Sequence, residues 1–250
     1  MKSLTHYIQE KLVIKKGNHY NYFPQTKEEL KAIIVKRIKD EGNKVDLNDI
    51  DVSKITDMSE LFWRTDFNGN ISGWDVSNVT SMEYMFFICK SFNQDISGWD
   101  VSNVTNMEGM FCGCESFNQD ISMWDVSNVT DMTSMFNGCK SFNQDISSFD
   151  VSNVTTMKGM FSGCVNFNKD ISRLDVSNVK DMNSMFYECS SFDCDISSWN
   201  VSNVTDMAYM FWECTNFNQD ISKWNVSKVT DMSGMFKDCQ IEEKYKPNFK

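Results

Sequence analysis

Apolar residues recur along this chain in one fixed pattern. In the stretch FNQDISGWDVSNVTNMEGMFCGCES, residues 92–116, apolar side chains stand at Phe92, Ile96, Trp99, Val101, Val104, Met107, Met110, Phe111 and Cys114, with polar residues between them. The opening phenylalanine returns at Phe67, Phe92, Phe117, Phe142, Phe167, Phe192 and Phe217, a constant interval of 25. A fixed period in this range marks a solenoid, propeller or linear array. Within each copy two local periods follow one another. Trp99 and Val101 alternate with Asp100, the two-residue rhythm of a short strand. Met107, Met110, Phe111 and Cys114 lie at i, i+3, i+4 and i+7, the spacing of one helix face. Thr105 is the expected N-cap, with Asn106 or its equivalents Asp131, Asp181, Asp206 and Asp231 at the positive end of the helix dipole, and Gly113 closing the helix.

One such copy cannot fold alone. Its nine or so apolar side chains contribute roughly 1.5–3 kcal/mol each when fully buried. Ordering the backbone costs roughly 1–2 kcal/mol per residue. Stacking on neighbours must supply the difference. Strands stack about 4.8 Å apart and helices about 8–10 Å apart, so a strand-plus-helix unit is a wedge and a stack of wedges curves into a horseshoe.

The pattern Ile96-x-x-Trp99-x-Val101-x-x-Val104, then Thr105-x-Met107, Met110-Phe111 and Cys114-x-x-Phe117, resembles the BspA-like leucine-rich repeat of surface proteins. It resembles more closely that family's 25-residue relative of unknown function, DVSNVTxMxxMFxxCxxFNqdIsxW. The resemblance covers about residues 47–240 in eight copies, the first of them degenerate. It implies an α/β fold, a right-handed leucine-rich-repeat-like solenoid with a short parallel strand and a short helix in each coil. A parallel β-solenoid is the alternative. It also implies a binding role, commonly at a cell surface, and no catalytic residues.

Residues 1–46 differ from the rest. Leu4, Ile8 and Leu12 recur every four residues among Lys11, Lys15 and Lys16, which predicts a short amphipathic helix able to dock on the body, a partner or a membrane surface. This opening loosely resembles the leaders of phage proteins packaged into heads. Thr26-Lys27-Glu28-Glu29 reads as a capping box opening a second helix over Glu28 to about Asp40, with Leu30, Ile33, Ile34 and Ile38 on one face and Gly42 at its end. This helix is expected to lid the first coil. The expected organisation is therefore 1–46 helical segment and cap, 47–240 repeats, 241–250 charged tail.

Charge and chemistry narrow the function. The chain carries a formal charge of −11. Residues 1–46 hold ten Lys/Arg against six Asp/Glu, and the remainder fourteen against twenty-nine, which makes nucleic acid an unsuitable partner for the body. No apolar run reaches the roughly 18 residues of a membrane span, and the first residues lack a secretory pattern, so the expectation is cytoplasmic, with the cell surface implied only by the resemblance. Seven of nine cysteines, Cys89 to Cys239 at 25-residue steps, read as a buried thiol column rather than disulfides or a metal site. The histidines, His6 and His19, fall outside any catalytic motif. Neither enzyme activity, cofactor nor metal is expected.

Two surfaces could bind a protein partner of unknown identity. The first is the file Asp75, Asp100, Asp125, Asp150 and Asp175, continued by Asn200 and Asn225, in which Ser102, Asn103 and nearby N–H groups could offset the repulsion. The second is a set of aromatic residues at variable positions, Tyr84 with Phe87 and Tyr187 with Tyr209 and Trp212. The NVT triplets at Asn78, Asn103, Asn128, Asn153 and Asn203 match the glycosylation sequon but read better as stacked turn asparagines. The function expected is a non-enzymatic protein-binding scaffold. The alternative is a structural or packaged part of a larger assembly, recruited by its N-terminal helix.

Overall fold

Nine apolar side chains per repeat point inward and meet their counterparts from the repeats before and after. The computed structural model describes residues 20–249. The expected helix over residues 4–16 lies outside that range. From Leu30 to Ile241 one continuous core runs the length of the described chain. In the repeat at 92–116 every one of the nine is at most 4% exposed.

The N-terminal end is closed by α1, Lys27–Glu41. The Thr26 side chain accepts the Glu29 N–H at 3.3 Å, and the Glu29 carboxylate accepts the Gln25 N–H at 2.7 Å, so the first turn's donors are satisfied reciprocally. Gly42, at φ 90°, ends the helix. Leu30 and Ile34 are buried against the first repeat. Lys27 bonds to Asp57 at 3.1 Å and to the Ser59 hydroxyl, and Arg37 pairs with Asp49 at 2.9 Å and with Glu41. A single 3-10 turn, Glu243–Tyr245, follows the last repeat.

Inside the repeats the local structure differs from the expected strand and helix. Among the described residues the only other paired positions are isolated parallel bridges. One is Tyr22 with Ile50, and the rest form one column: Asp57, Ser81, Asn106, Asp131, Thr156, Asp181, Asp206 and Asp231. Residues 99–101, read as a strand, lie between two turns that close from Trp99 N–H to Ile96 O and from Val104 N–H to Val101 O. Residues 105–114, read as a helix, are a run of turns. Met110, Cys112 and Cys114 donate to Met107, Gly109 and Phe111, each three residues back. The residues between them donate outward instead. Met107, Gly109, Phe111 and Gly113 reach the carbonyls of Asp131, Thr133, Met135 and Asn137 in the next repeat, at 2.6–3.2 Å.

The alternation needs a left-handed residue at the third place of the turns 107–110 and 111–114, as in type II turns. Gly109 and Gly113 supply it at φ 56° and 77°. Thr105 accordingly caps no helix, and its N–H and hydroxyl both turn to Thr80 O. Asn106 and Asp131 serve no helix dipole either. Their side chains accept the N–H two residues on, from Glu108 and Thr133, at 2.8 Å. Gly113 sits within the run rather than at a helix end.

The physical reason is spacing. Helices side by side need about 8–10 Å, whereas repeats joined by backbone hydrogen bonds lie about 4.8 Å apart. Phe86, Phe111 and Phe136 stack in file with centroids 5.6 and 5.9 Å apart, and Phe111 stacks on Phe117, the opening residue of the next repeat, at 4.0 Å. Without a helix the repeat is not the strand-plus-helix wedge expected from the spacing.

Candidate functional site

Both surfaces singled out in the sequence are built by the stacking. In the first file, each aspartate folds back on the serine two residues later. Ser102 gives Asp100 Oδ1 its N–H at 3.2 Å and its hydroxyl at 2.6 Å, and Ser77, Ser127 and Ser152 do the same for Asp75, Asp125 and Asp150. Asp175 accepts the Ser177 N–H at 3.1 Å. Asn200 and Asn225 keep the same bond, from Ser202 and Ser227 at 3.2 Å. All five aspartates are exposed. Each uses Oδ1 and leaves its second oxygen without a protein partner among the described residues. The Ser127 and Ser152 hydroxyls, then their N–H groups, hold Asp125 and Asp150 below the usual carboxylate range.

A second file runs parallel to the first: Asp95, Asp120, Asp145, Asp170, Asp195 and Asp220. It accepts the N–H groups of Ser97, Ser122, Ser147, Ser172, Ser197 and Ser222 at 2.9–3.0 Å. These bonds hold all six carboxyls low, the serine N–H leading in Asp95, Asp120 and Asp145 and the hydroxyl in Asp170, Asp195 and Asp220. The sequence signal was present in the Asp-x-Ser spacing, which occurs twice, once as DIS and once as DVS, in each of the four repeats that open at Phe92, Phe117, Phe142 and Phe167. The two files differ in their surroundings. Lys169, Arg173, Lys223 and Lys244 act on Asp145, Asp170 and Asp220, whereas no lysine or arginine pairs with the first file among the described residues.

The aromatic residues form two clusters. Tyr84 and Phe87, the ends of one turn, meet edge to face at 5.6 Å. Trp63, which the sequence reading passed over, stacks on Phe87 at 4.1 Å, with Arg64 across both rings at 5.8 Å. Its signal was its place one residue past Phe62, the column that holds Phe87 and Trp212. The Tyr84 hydroxyl bonds to the Glu108 carboxylate, and burial together with that carboxylate raises its pKa. In the other cluster Trp212 contacts Tyr209 at 5.5 Å and Tyr187 at 6.0 Å, and Lys237 lies 3.8 Å above its ring. A Cβ on Gly234 would sit 2.9 Å from Tyr209 and 3.0 Å from Trp212, so these rings rest on a neighbour's bare backbone. Five repeats separate Tyr84 from Tyr209, and the structure does not bring the two clusters together. Only Tyr209, at 38%, counts as exposed.

Other expected columns have plain partners. Asn78, Asn103, Asn128, Asn153 and Asn203 donate to the serine carbonyl of the preceding repeat at 2.7–2.9 Å. All nine cysteines are free thiols. Six of the seven in the column, from Cys89 to Cys214, donate to a phenylalanine carbonyl at 2.8–3.0 Å. Burial pushes the Cys89 thiol up to about 11. Among the described residues, no helix is long and apolar enough to cross a membrane.

Near-identical units that satisfy one another's backbone groups across each junction define a tandem-repeat protein. The chain belongs to the family described as "Mycoplasma protein of unknown function, DUF285", which matches residues 31–149 and again 130–248. The two matches overlap, and together they run from within α1 through the whole array. No curated protein matches the chain.

Proposed function

We propose that this chain is a non-enzymatic protein-binding scaffold, a leucine-rich-repeat-like right-handed solenoid of BspA-like kinship, and that its partner is a basic, extended protein segment lying along Asp75–Asp175. The observation that carries this reading is the state of those five carboxylates. Each is fixed by its serine and, among the described residues, keeps one oxygen without a partner and pairs with no lysine or arginine. Neighbouring charges about 5 Å apart repel by roughly 0.8 kcal/mol even at the dielectric of water. A strand of lysines or arginines, with side chains on one face about 6.6–7 Å apart, would relieve that repulsion along several repeats.

The test compares two charge-matched triple variants with the parent. D100N/D125N/D150N removes three charges from the first file, and D120N/D145N/D170N removes three from the second. Asn200 and Asn225 show that asparagine keeps the turn. With a decalysine peptide as probe in calorimetric titration, the first variant should bind at least threefold more weakly than the second. Equal weakening would reduce the interaction to net charge and remove the file as the site.

A further inference from the structure

The junction between repeats has a direction, and the two ends of the array are not alike. At each of the seven junctions four N–H groups point forward. At the first they run from Met58, Glu60, Phe62 and Arg64 to the carbonyls of Ser81, Glu83, Met85 and Phe87, at 2.7–3.0 Å. At the last they run from Met207, Tyr209, Phe211 and Glu213 to Asp231, Ser233, Met235 and Lys237, at 2.8–2.9 Å. The final repeat therefore ends in four donors, Met232, Gly234, Phe236 and Asp238, that have no acceptor among the described residues. The first repeat begins with four carbonyls, Asp57, Ser59, Leu61 and Trp63, that accept no N–H among the described residues.

Side chains follow the same asymmetry. Met58, Met82, Met107, Met132, Met157, Met182 and Met207 are all fully buried, whereas Met232 is 47% exposed. The C-terminal tail covers this end only in part, with Tyr245 and Phe249 against the core and Lys246 Nζ 5.4 Å above the Phe236 ring. Tyr245 O takes one N–H, from Ile221, and Phe249 borders open cavities of about 530 Å³ that reach Met232 and Phe236. At the other end α1 covers the core with Leu30 and Ile34 but gives the carbonyl row no donor. It is clasped by the side-chain contacts of Lys27 and Arg37.

We propose that the two ends are the two halves of one further junction, and that α1 controls head-to-tail assembly of this chain with a second copy. The occupant of the open end is then the first repeat of another copy whose lid has swung aside. Its Phe62 would displace Lys246 and stack on Phe236 as Phe236 stacks on Phe211 at 5.8 Å. Two open ends cannot join through this row, because both present N–H donors along it, so the contact is heterologous and does not close on a dimer. This goes beyond the scaffold reading and does not depend on it.

The test lifts the lid and, separately, blocks the open end. L30D/I34D puts charge where α1 is buried, and M232K places a charge on a half-exposed residue at the open end. In light scattering after size exclusion, the intact chain should run as a monomer and L30D/I34D as a series of dimers, trimers and longer species. Adding M232K should return it to monomer. A folded L30D/I34D chain that stays monomeric, one that stops at the dimer, or one that still assembles with M232K would each overturn the proposal. Should L30D/I34D not fold, K27A/R37A loosens the clasp and leaves the core residues in place. Sedimentation equilibrium should then show association rising with concentration and abolished by M232K, and a monomer at every concentration would equally overturn it.

Discussion

Five repeats place a tryptophan where two others place Phe149 and Leu174, and the difference isolates one hydrogen bond. The Trp124 indole N–H donates to Ile96 O at 3.2 Å, across to the preceding repeat. Trp74, Trp99, Trp199 and Trp224 make the same bond, to Leu47, Ile71, Ile171 and Ile196. Phe149 is buried to the same degree, at 4% exposed, so the site accepts a phenyl ring without opening a path to water. In W124F, Ile96 O still receives the Trp99 backbone N–H at 3.1 Å, a turn within the preceding repeat that the substitution does not touch. The loss is therefore one net hydrogen bond, about 0.5–1.5 kcal/mol, and not the full penalty of an orphaned carbonyl. The indole also buries on the order of 40 Å² more than a phenyl ring, worth about 1 kcal/mol. W124F should cost about 2 kcal/mol, a fall of about 4–8 °C in Tm for an array this size. F149W supplies the missing donor to Ile121 O and should gain about 1 kcal/mol if the enlarged ring fits beside Leu174. Scanning calorimetry avoids the change in tryptophan fluorescence. If W124F is neutral within about 0.5 kcal/mol, the cross-repeat bond contributes nothing and the reasoning fails.

Two further outcomes follow from the turns. Gly138→Ala has room, its nearest neighbour being Gly113 Cα at 3.6 Å, but must hold φ near 72°, so it should lose about 1 kcal/mol. Gly98→Ala meets nothing within 4 Å and lies outside the left-handed region, so it should be neutral or stabilising by up to about 1 kcal/mol, and urea titrations showing equal effects would refute the distinction. The second concerns acid. The carboxyls of Asp95, Asp120, Asp145, Asp170, Asp195 and Asp220 are lowered on folding, so the stability they confer is complete above the unfolded value of about 3.9 and is lost as pH falls through their native values. Tm should hold from pH 7 to about 5 and drop below about 4. S97A/S122A/S147A brings three of these carboxyls nearer their unfolded value and should make that drop shallower, and a Tm that rises on acidification to pH 3 would mean that repulsion within the files outweighs the serine bonds.

The set of buried residues was legible in the sequence because burial depends on which positions are apolar, and those recur without a slip. Ile96, Trp99, Val101, Val104, Met107, Met110, Phe111, Cys114 and Phe117 are all inside. The Asp75–Asp175 file was legible because a period of 25 puts equivalent residues in register. Its twin at Asp95–Asp220 needed only the same Asp-x-Ser spacing to be noticed a second time. The path of the backbone was not legible. Spacings of i, i+3, i+4 and i+7 fit an α-helix, but they fit equally a run of turns closed three residues back, which returns side chains to one side at nearly the same places. The residues at the left-handed corners were the clue in view. Gly109, Gly113, Gly138, Gly159 and Gly163 recur at two positions within what was read as helix, where glycine costs about 1 kcal/mol.

The sequence by itself determined the period, the inward-facing set, the capped helix that closes one end, and the charge of the surface, since each depends on residue type and spacing alone. Only the tertiary structure decided where the N–H groups of Met107, Gly109, Phe111 and Gly113 point. A backbone donor has no preference written in its side chain between a carbonyl in its own repeat and one in the next. The choice falls to whichever neighbour comes within about 3 Å, and identical repeats in register bring the next one there.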